Sequence, residues 1–152
     1  MTLRYFTDHM LGRLTRWMRL LGLDTEYASA DLDDSTIAKR CEETGRILLT
    51  RDKDLHRRSR NSVLIESTYH IDQVRQIIHT IKLDEELFFT RCPECNAVLE
   101  DVPSISVRGS IPEGVIDRHQ TVMKCPDCGK VYWKGDHYRK IQKTIKDLMD
   151  EK

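Results

Sequence analysis

Four cysteines in two matching spacings constrain this chain more than any other feature of its sequence. Cys92-Pro93-Glu94-Cys95 and Cys125-Pro126-Asp127-Cys128 each set two thiolates on one tight turn. The 29 residues between Cys95 and Cys125 are enough for strands that bring the turns together. Gly129 lets the backbone curl so that amides face sulfur. Two unrelated pairs or a redox dithiol would use the same letters, but paired turns at this separation favour thiolates holding zinc over a disulfide framework. A shell of four cysteines leaves no position for water or substrate, so the expected zinc ribbon is structural, and His119 and His137 are not needed as ligands. Cys41 makes the count odd. It lies between Ala38 and Gly45 in an apolar-periodic stretch and reads as a small buried hydrophobe.

The residues before the first turn alternate between two periods. Leu3 to Thr7 reads as a strand, and Met10, Leu11, Leu14, Trp17, Met18 and Leu21 follow at helical spacing until Gly22 stops them. Thr25 to Ala28 is a second strand. Asp31 to Asp34 then offer caps to a helix with Ile37, Ala38 and Cys41 on its buried stripe. Ile47, Leu48 and Leu49 form the continuous apolar run of a strand covered on both faces. After a polar, basic segment come a strand at Val63 to Ile65 and a helix marked by Ile71, Val74, Ile77, Ile78 and Ile81. This order predicts an α/β parallel sheet with right-handed crossovers over residues 1–87. Residues 88–152 then hold the zinc ribbon, with Pro and Gly turns, too little apolar material for a separate core, and a final basic helix along Tyr138, Ile141, Ile145 and Leu148.

Twenty-five basic residues balance 25 acidic ones, so a strongly basic chain is excluded as the argument for nucleic-acid binding. The distribution is uneven. Arg13, Arg16 and Arg19, the stretch Arg51 to Arg60, and Lys130 to Lys146 are basic, whereas Asp31, Asp33, Asp34, Asp52 and Asp54 gather acid. Nothing in the sequence reads as a membrane span or an export signal, and a cytoplasmic location is expected.

In a parallel sheet the loops at the carboxyl ends of the strands carry the functional groups. Asp8 follows the first strand, Asp31, Asp33 and Asp34 the second, and Asp52 and Asp54 the third. Carboxylates converging from three strands repel one another, and a hard divalent cation such as Mg²⁺ or Mn²⁺ offsets that repulsion. Such an ion activates water for attack on a phosphodiester. Asp33 or Asp34, and Asp52 or Asp54, are equally natural helix caps, and on spacing alone both readings stand.

The run Phe6-Thr7-Asp8-His9-Met10-Leu11-Gly12-Arg13-Leu14-Thr15-Arg16-Trp17-Met18-Arg19-Leu20-Leu21-Gly22, then Gly45-Arg46-Ile47-Leu48-Leu49-Thr50-Arg51-Asp52, closely resembles the Mut-seven C-terminal RNase family. Cys125 to His137 resembles its ending. The resemblance implies a PIN-like nuclease domain with a C-terminal zinc ribbon. It implies that Asp8, Asp34 and Asp52 hold catalytic Mg²⁺ or Mn²⁺, with Asp54 as a fourth acid, and that Asp33 can exchange with Asp34. A further acid beyond the third strand, usual in PIN-type folds, has no clear counterpart here.

The resulting expectation is a metal-dependent endoribonuclease, with metal-activated water as nucleophile and Arg13, Arg16 and Arg51 on RNA phosphates. Arg13 and Arg16 are equally well ordinary solvated helix residues. RNA is the expected partner, with no membrane and no organic cofactor. Trp133 and Tyr132 beside basic residues resemble a stacking platform, or else they seal the ribbon. The rival expectation is a non-catalytic RNA- or ribosome-associated adaptor, with the acids as caps. A receiver-like phosphoacceptor ranks last, because Asp8 stands alone where that chemistry uses two adjacent acids.

Overall fold

The computed structural model describes residues 2–151 and divides into two compact units, meeting between Asn96 and Ala97. In the first, four strands, β1 (Tyr5–Thr7), β2 (Thr25–Tyr27), β3 (Ile47–Thr50) and β4 (Ser62–Leu64), form a wholly parallel sheet in the order β2-β1-β3-β4. The central strands are buried on both faces: Tyr5, Phe6, Thr7, Leu48, Leu49 and Thr50 are each at most 1% exposed. That is why their apolar runs are continuous and not alternating.

Four helices connect and flank the strands: α1 (Gly12–Leu20), α2 (Asp34–Thr44), α3 (Lys53–Arg58) and α4 (His70–Thr80). α1 packs with α4, and α2 with α3. Phe6, Ala28, Ile37, Cys41, Leu48 and Leu55 make a core beneath α2 and α3. Because β1 lies beside β3, the chain steps to one side of β1 to make β2 and to the other to make β3. The carboxyl ends of β1 and β3 are therefore a switch point, the place where open α/β sheets collect their chemistry.

α1 starts later than apolar spacing predicts, at Gly12 and not Met10, because His9–Leu11 first forms a 3₁₀ turn that lets the chain leave β1. The polar segment after Thr50 contains α3, with Asp52 as its cap; its single buried side chain, Leu55, is too little for periodicity to register.

The first unit also holds the first cysteine turn. The Arg19 guanidinium, 8% exposed, donates to the Pro93 carbonyl at 3.0 Å and to that of Glu94 at 3.1 Å, while its Nε donates to the Thr25 carbonyl at 2.9 Å. Asn96 closes the turn in the left-handed region, at φ 70°. Its side chain accepts from the Thr25 amide at 2.9 Å and donates to Asp24 at 2.7 Å. Asp24 in turn accepts from Arg46 at 2.9 Å.

The second unit has an antiparallel sheet of β5 (Glu100–Pro103), β6 (Thr121–Lys124) and β7 (Val131–Tyr132), a short α5 (Glu113–Arg118), and α6 (Asp136–Asp150). The expectation that this stretch lacks a separate core needs correcting. Val107, Ile111, Val115 and Val122 are buried together, with Val102, Val131 and Trp133 packed against them. The apolar residues are spread singly through turns and α5, where no period brings them to notice. Trp133 belongs to this packing.

Candidate functional site: two aspartates joined by a threonine at the switch point

Asp8 leaves β1 buried, at 2% exposure, its amide donating to the Leu49 carbonyl at 3.1 Å. The Thr50 hydroxyl, at the end of the neighbouring β3, donates to Asp8 Oδ2 at 2.9 Å and accepts from the Asp52 amide at 3.0 Å. One hydroxyl thus links the Asp8 carboxylate to the backbone of Asp52. Asp52 uses Oδ1 to cap α3, accepting from Asp54 N at 2.8 Å and Leu55 N at 3.1 Å.

Asp8 Oδ1 is buried and has no hydrogen bond. The His9 Nδ1 atom approaches it to 2.8 Å, but without hydrogen-bonding geometry, so lone pairs stay free. A buried carboxylate oxygen without a donor costs about 1–3 kcal/mol or more. Beneath Asp8, Thr7 Oγ1 and Thr15 Oγ1 lie 2.6 Å apart, and the latter donates to the Leu11 carbonyl at 2.7 Å, which ties β1 to the start of α1.

The other acids are engaged elsewhere. Asp34, in the first turn of α2, accepts from Arg58 at 3.4 Å. Asp33 is the cap of that helix, accepting from Thr36 N at 2.7 Å, and this backbone bond holds its carboxyl below the usual range. Asp54 pairs with Arg57. Past β4, Glu66 is exposed and Asp72 pairs with Arg75. Of the cations, Arg13 meets His70 Nδ1 at 3.3 Å and Arg16 pairs with Glu94, while Arg51 is half-buried with its Nε unbonded. The linking Thr50 was not singled out from sequence, where a threonine ending an apolar strand carries no distinctive signal.

The four expected thiols come together. The Sγ atoms of Cys92, Cys95, Cys125 and Cys128 all lie within 4.8 Å of one another, a soft donor set that could hold a metal such as zinc. This is compatible with a zinc ribbon. Among the described residues no other set of three or more His, Cys, Asp or Glu side chains gathers this closely. Cys41 lies apart in the core, where burial, with the nearby Glu26 carboxylate, pushes its thiol up to about 11, leaving it unreactive.

Among the described residues no helix is long and apolar enough to cross a membrane. Comparison with curated proteins and with solved structures returned no match. A family model described as the Mut7-C RNAse domain matches residues 3–145. That match takes in both the Asp8–Thr50–Asp52 linkage and all four thiols, and the chain belongs to the Mut7-C RNAse domain family.

Proposed function

We propose that the chain is a metal-dependent endoribonuclease that hydrolyses RNA phosphodiester bonds at the carboxyl ends of β1 and β3. The observation that carries this reading is the unbonded, buried Oδ1 of Asp8, one threonine hydroxyl away from Asp52 at the switch point. A hard divalent cation fits that oxygen, since it supplies the partner that no hydrogen bond within the protein provides. Asp8 and Asp52 would hold Mg²⁺ or Mn²⁺, with Asp34 and Asp54 as further carboxylates. When bound, the ion supplies charge neutralisation at phosphorus oxygens and makes water a better nucleophile at neutral pH.

The chain's own groups do the rest. Thr50 fixes the Asp8 carboxylate by donating to Oδ2, which leaves Oδ1 directed elsewhere. Asp52 spends Oδ1 on α3, so its second oxygen is the one available to a ligand. Asp34 is exposed enough that its pair with Arg58 contributes under about 1 kcal/mol, so turning it toward the other acids costs little. Arg51, beside Asp52, and Arg13 supply cations for RNA phosphates; Arg16 joins them by giving up Glu94. The four-thiolate shell is closed and structural, holding zinc in a reducing, cytoplasmic setting.

In the rival adaptor reading the acids only cap helices, which Asp33 and Asp52 do. Zinc-loaded protein incubated with labelled RNA, with and without added Mn²⁺, separates the two. Cleavage should require Mn²⁺ and fall at least about 100-fold in Asp8→Asn. RNA binding without cleavage under any divalent cation would leave the adaptor.

A further inference from the structure

Among the described residues of the first unit, five large apolar side chains are exposed: Leu3, Met10, Tyr27, Tyr69 and Leu87. Single exposed apolar residues are ordinary. Here, however, both aromatic ones, together with Met10, stand on the carboxyl edge of the sheet, where the acids are. Tyr27 ends β2 and is 44% exposed; Tyr69 lies past β4, directly before α4, and is 73% exposed.

They are joined across the start of α1. The Tyr27 hydroxyl donates to the His9 carbonyl, which fixes the ring, and a Cβ on Gly12 would lie 3.2 Å from the Tyr27 oxygen. The next residue, Arg13, reaches His70, the neighbour of Tyr69. One edge therefore carries, in order, a tyrosine, the Asp8 turn with Met10, an arginine and histidine, and a second tyrosine. β2 and β4 are separated by two other strands, which puts their ends roughly 14 Å apart at ~4.8 Å per strand.

We propose that Tyr27 and Tyr69 are stacking platforms for two unpaired bases on either side of the bond to be cut, so that the substrate is single-stranded RNA. The assignment rests on the ribonuclease reading above and specifies its substrate class. Three features favour this occupant. The rings follow strands whose ends lie roughly 14 Å apart, against a rise of about 3.4 Å between neighbouring stacked bases. They can instead hold bases flanking a backbone stretch that passes over Asp8 and Asp52, with Arg13 and Arg51 on its phosphates. An A-form duplex keeps its bases stacked inside and offers neither ring a face. Each base stacked on an aromatic ring contributes strongly and without regard to sequence.

The test measures binding by fluorescence anisotropy with zinc-loaded protein and no added Mg²⁺ or Mn²⁺. The probes are a labelled 12-nucleotide single-stranded RNA and the duplex it forms with its complement; cleavage of both is then assayed with Mn²⁺. Tyr69→Ala and Tyr27→Ala should each weaken single-strand binding about tenfold, and together about 100-fold. Tyr69→Phe and Tyr27→Phe should stay within about twofold, since the ring is retained. Tyr27→Phe removes only the bond to His9, so it separates stacking from support of the Asp8 turn. Duplex binding should be weaker and unchanged by all four substitutions. Alanine variants that bind the single strand like the parent, equal dependence on the tyrosines for the duplex, or no single-strand binding at all would overturn the proposal. Tyrosine-dependent binding without cleavage would retain this surface and remove the nuclease; cleavage without tyrosine dependence would do the reverse.

Discussion

Thr50 does more at the switch point than its place in an apolar strand suggests, because its hydroxyl serves Asp8 and Asp52 at once. Thr50→Val keeps the shape and removes both bonds. It should cost about 1–3 kcal/mol of stability and lower Mn²⁺-dependent cleavage about 10–100-fold, as losing a group that orients a metal ligand does. Thermal unfolding and cleavage rates measured on one preparation check both. Asp52 allows its two roles to be divided. Asp52→Ser keeps a capping oxygen for α3 and should leave the melting temperature near that of the parent while abolishing cleavage; Asp52→Ala should lose the cap as well, about 1 kcal/mol. A serine variant that still cleaves would make Asp52 a cap alone.

Asp24 gives a pH signature. Burial by itself would raise its carboxyl, but hydrogen bonds from Asn96 and Arg46, with the charges of Arg46 and Arg91, outweigh it and hold the group below the usual carboxylate range. A carboxyl lowered by folding adds stability that is fully present above its unfolded value, near 4, and is lost as pH falls through the folded value. Asp24→Asn should therefore be less stable than the parent by about 2 kcal/mol at neutral pH, and the gap should close below about pH 4 in acid titrations followed by circular dichroism.

Among the elements, the end of α1 is the least tolerant of change. Gly22 has φ 81°, and a Cβ there would lie 2.3 Å from the Leu87 carbonyl oxygen, so backbone and not a flexible side chain stands in the way. Gly22→Ala should cost at least about 2 kcal/mol. Gly109→Ala, with φ 93° and open space around it, should cost only the ~1 kcal/mol of a left-handed alanine. Denaturant melts of the two variants compare clash with strain.

The elements that were legible in the sequence were those whose burial has a period. The runs at Tyr5–Thr7 and Ile47–Thr50 and the stripes of α1 and α4 announce a parallel sheet and its helices. α3 and the core of the second unit were not legible. α3 buries Leu55 alone, and Val107, Ile111, Val115 and Val122 come from four separate segments. At the site, strand ends made Asp8 and Asp52 visible. The engagement of Asp34 by Arg58 was not visible, because it joins residues 24 positions apart through side chains that face solvent. Tyr27 and Tyr69 carry no signal of their own in the sequence for a related reason: an exposed aromatic at the end of a short strand, or just before a helix, breaks no pattern.

At the largest scale, the first cysteine turn and the α/β sheet are not independent. Arg19, Thr25 and Asp24 hold Pro93, Glu94 and Asn96 by four hydrogen bonds. Stripping the metal should therefore disturb α1 and β2 as well as the second unit. Native mass spectrometry should find one zinc per chain. Its removal by a thiol-reactive mercurial or by Cys125→Ser should lower the melting temperature by about 10 °C or more, at ~3 °C per kcal/mol. Hydrogen exchange should rise at the amide of Thr25, which Asn96 protects. A melting temperature indifferent to zinc would remove the metal from the account of stability.

The clasp on the first cysteine turn also has a meaning in time. Synthesis runs from the amino terminus, and domains fold as they emerge. Arg19, Asp24, Thr25 and Asn96 are all made before the 28 residues that separate Asn96 from Cys125. A nascent chain thus brings Cys92 and Cys95 against the folded sheet before Cys125 and Cys128 have left the ribosome. The later thiols have only to find a turn that is already in place, and the unpaired interval, when a thiol is most open to oxidation or a wrong metal, is confined to a pair held against folded protein.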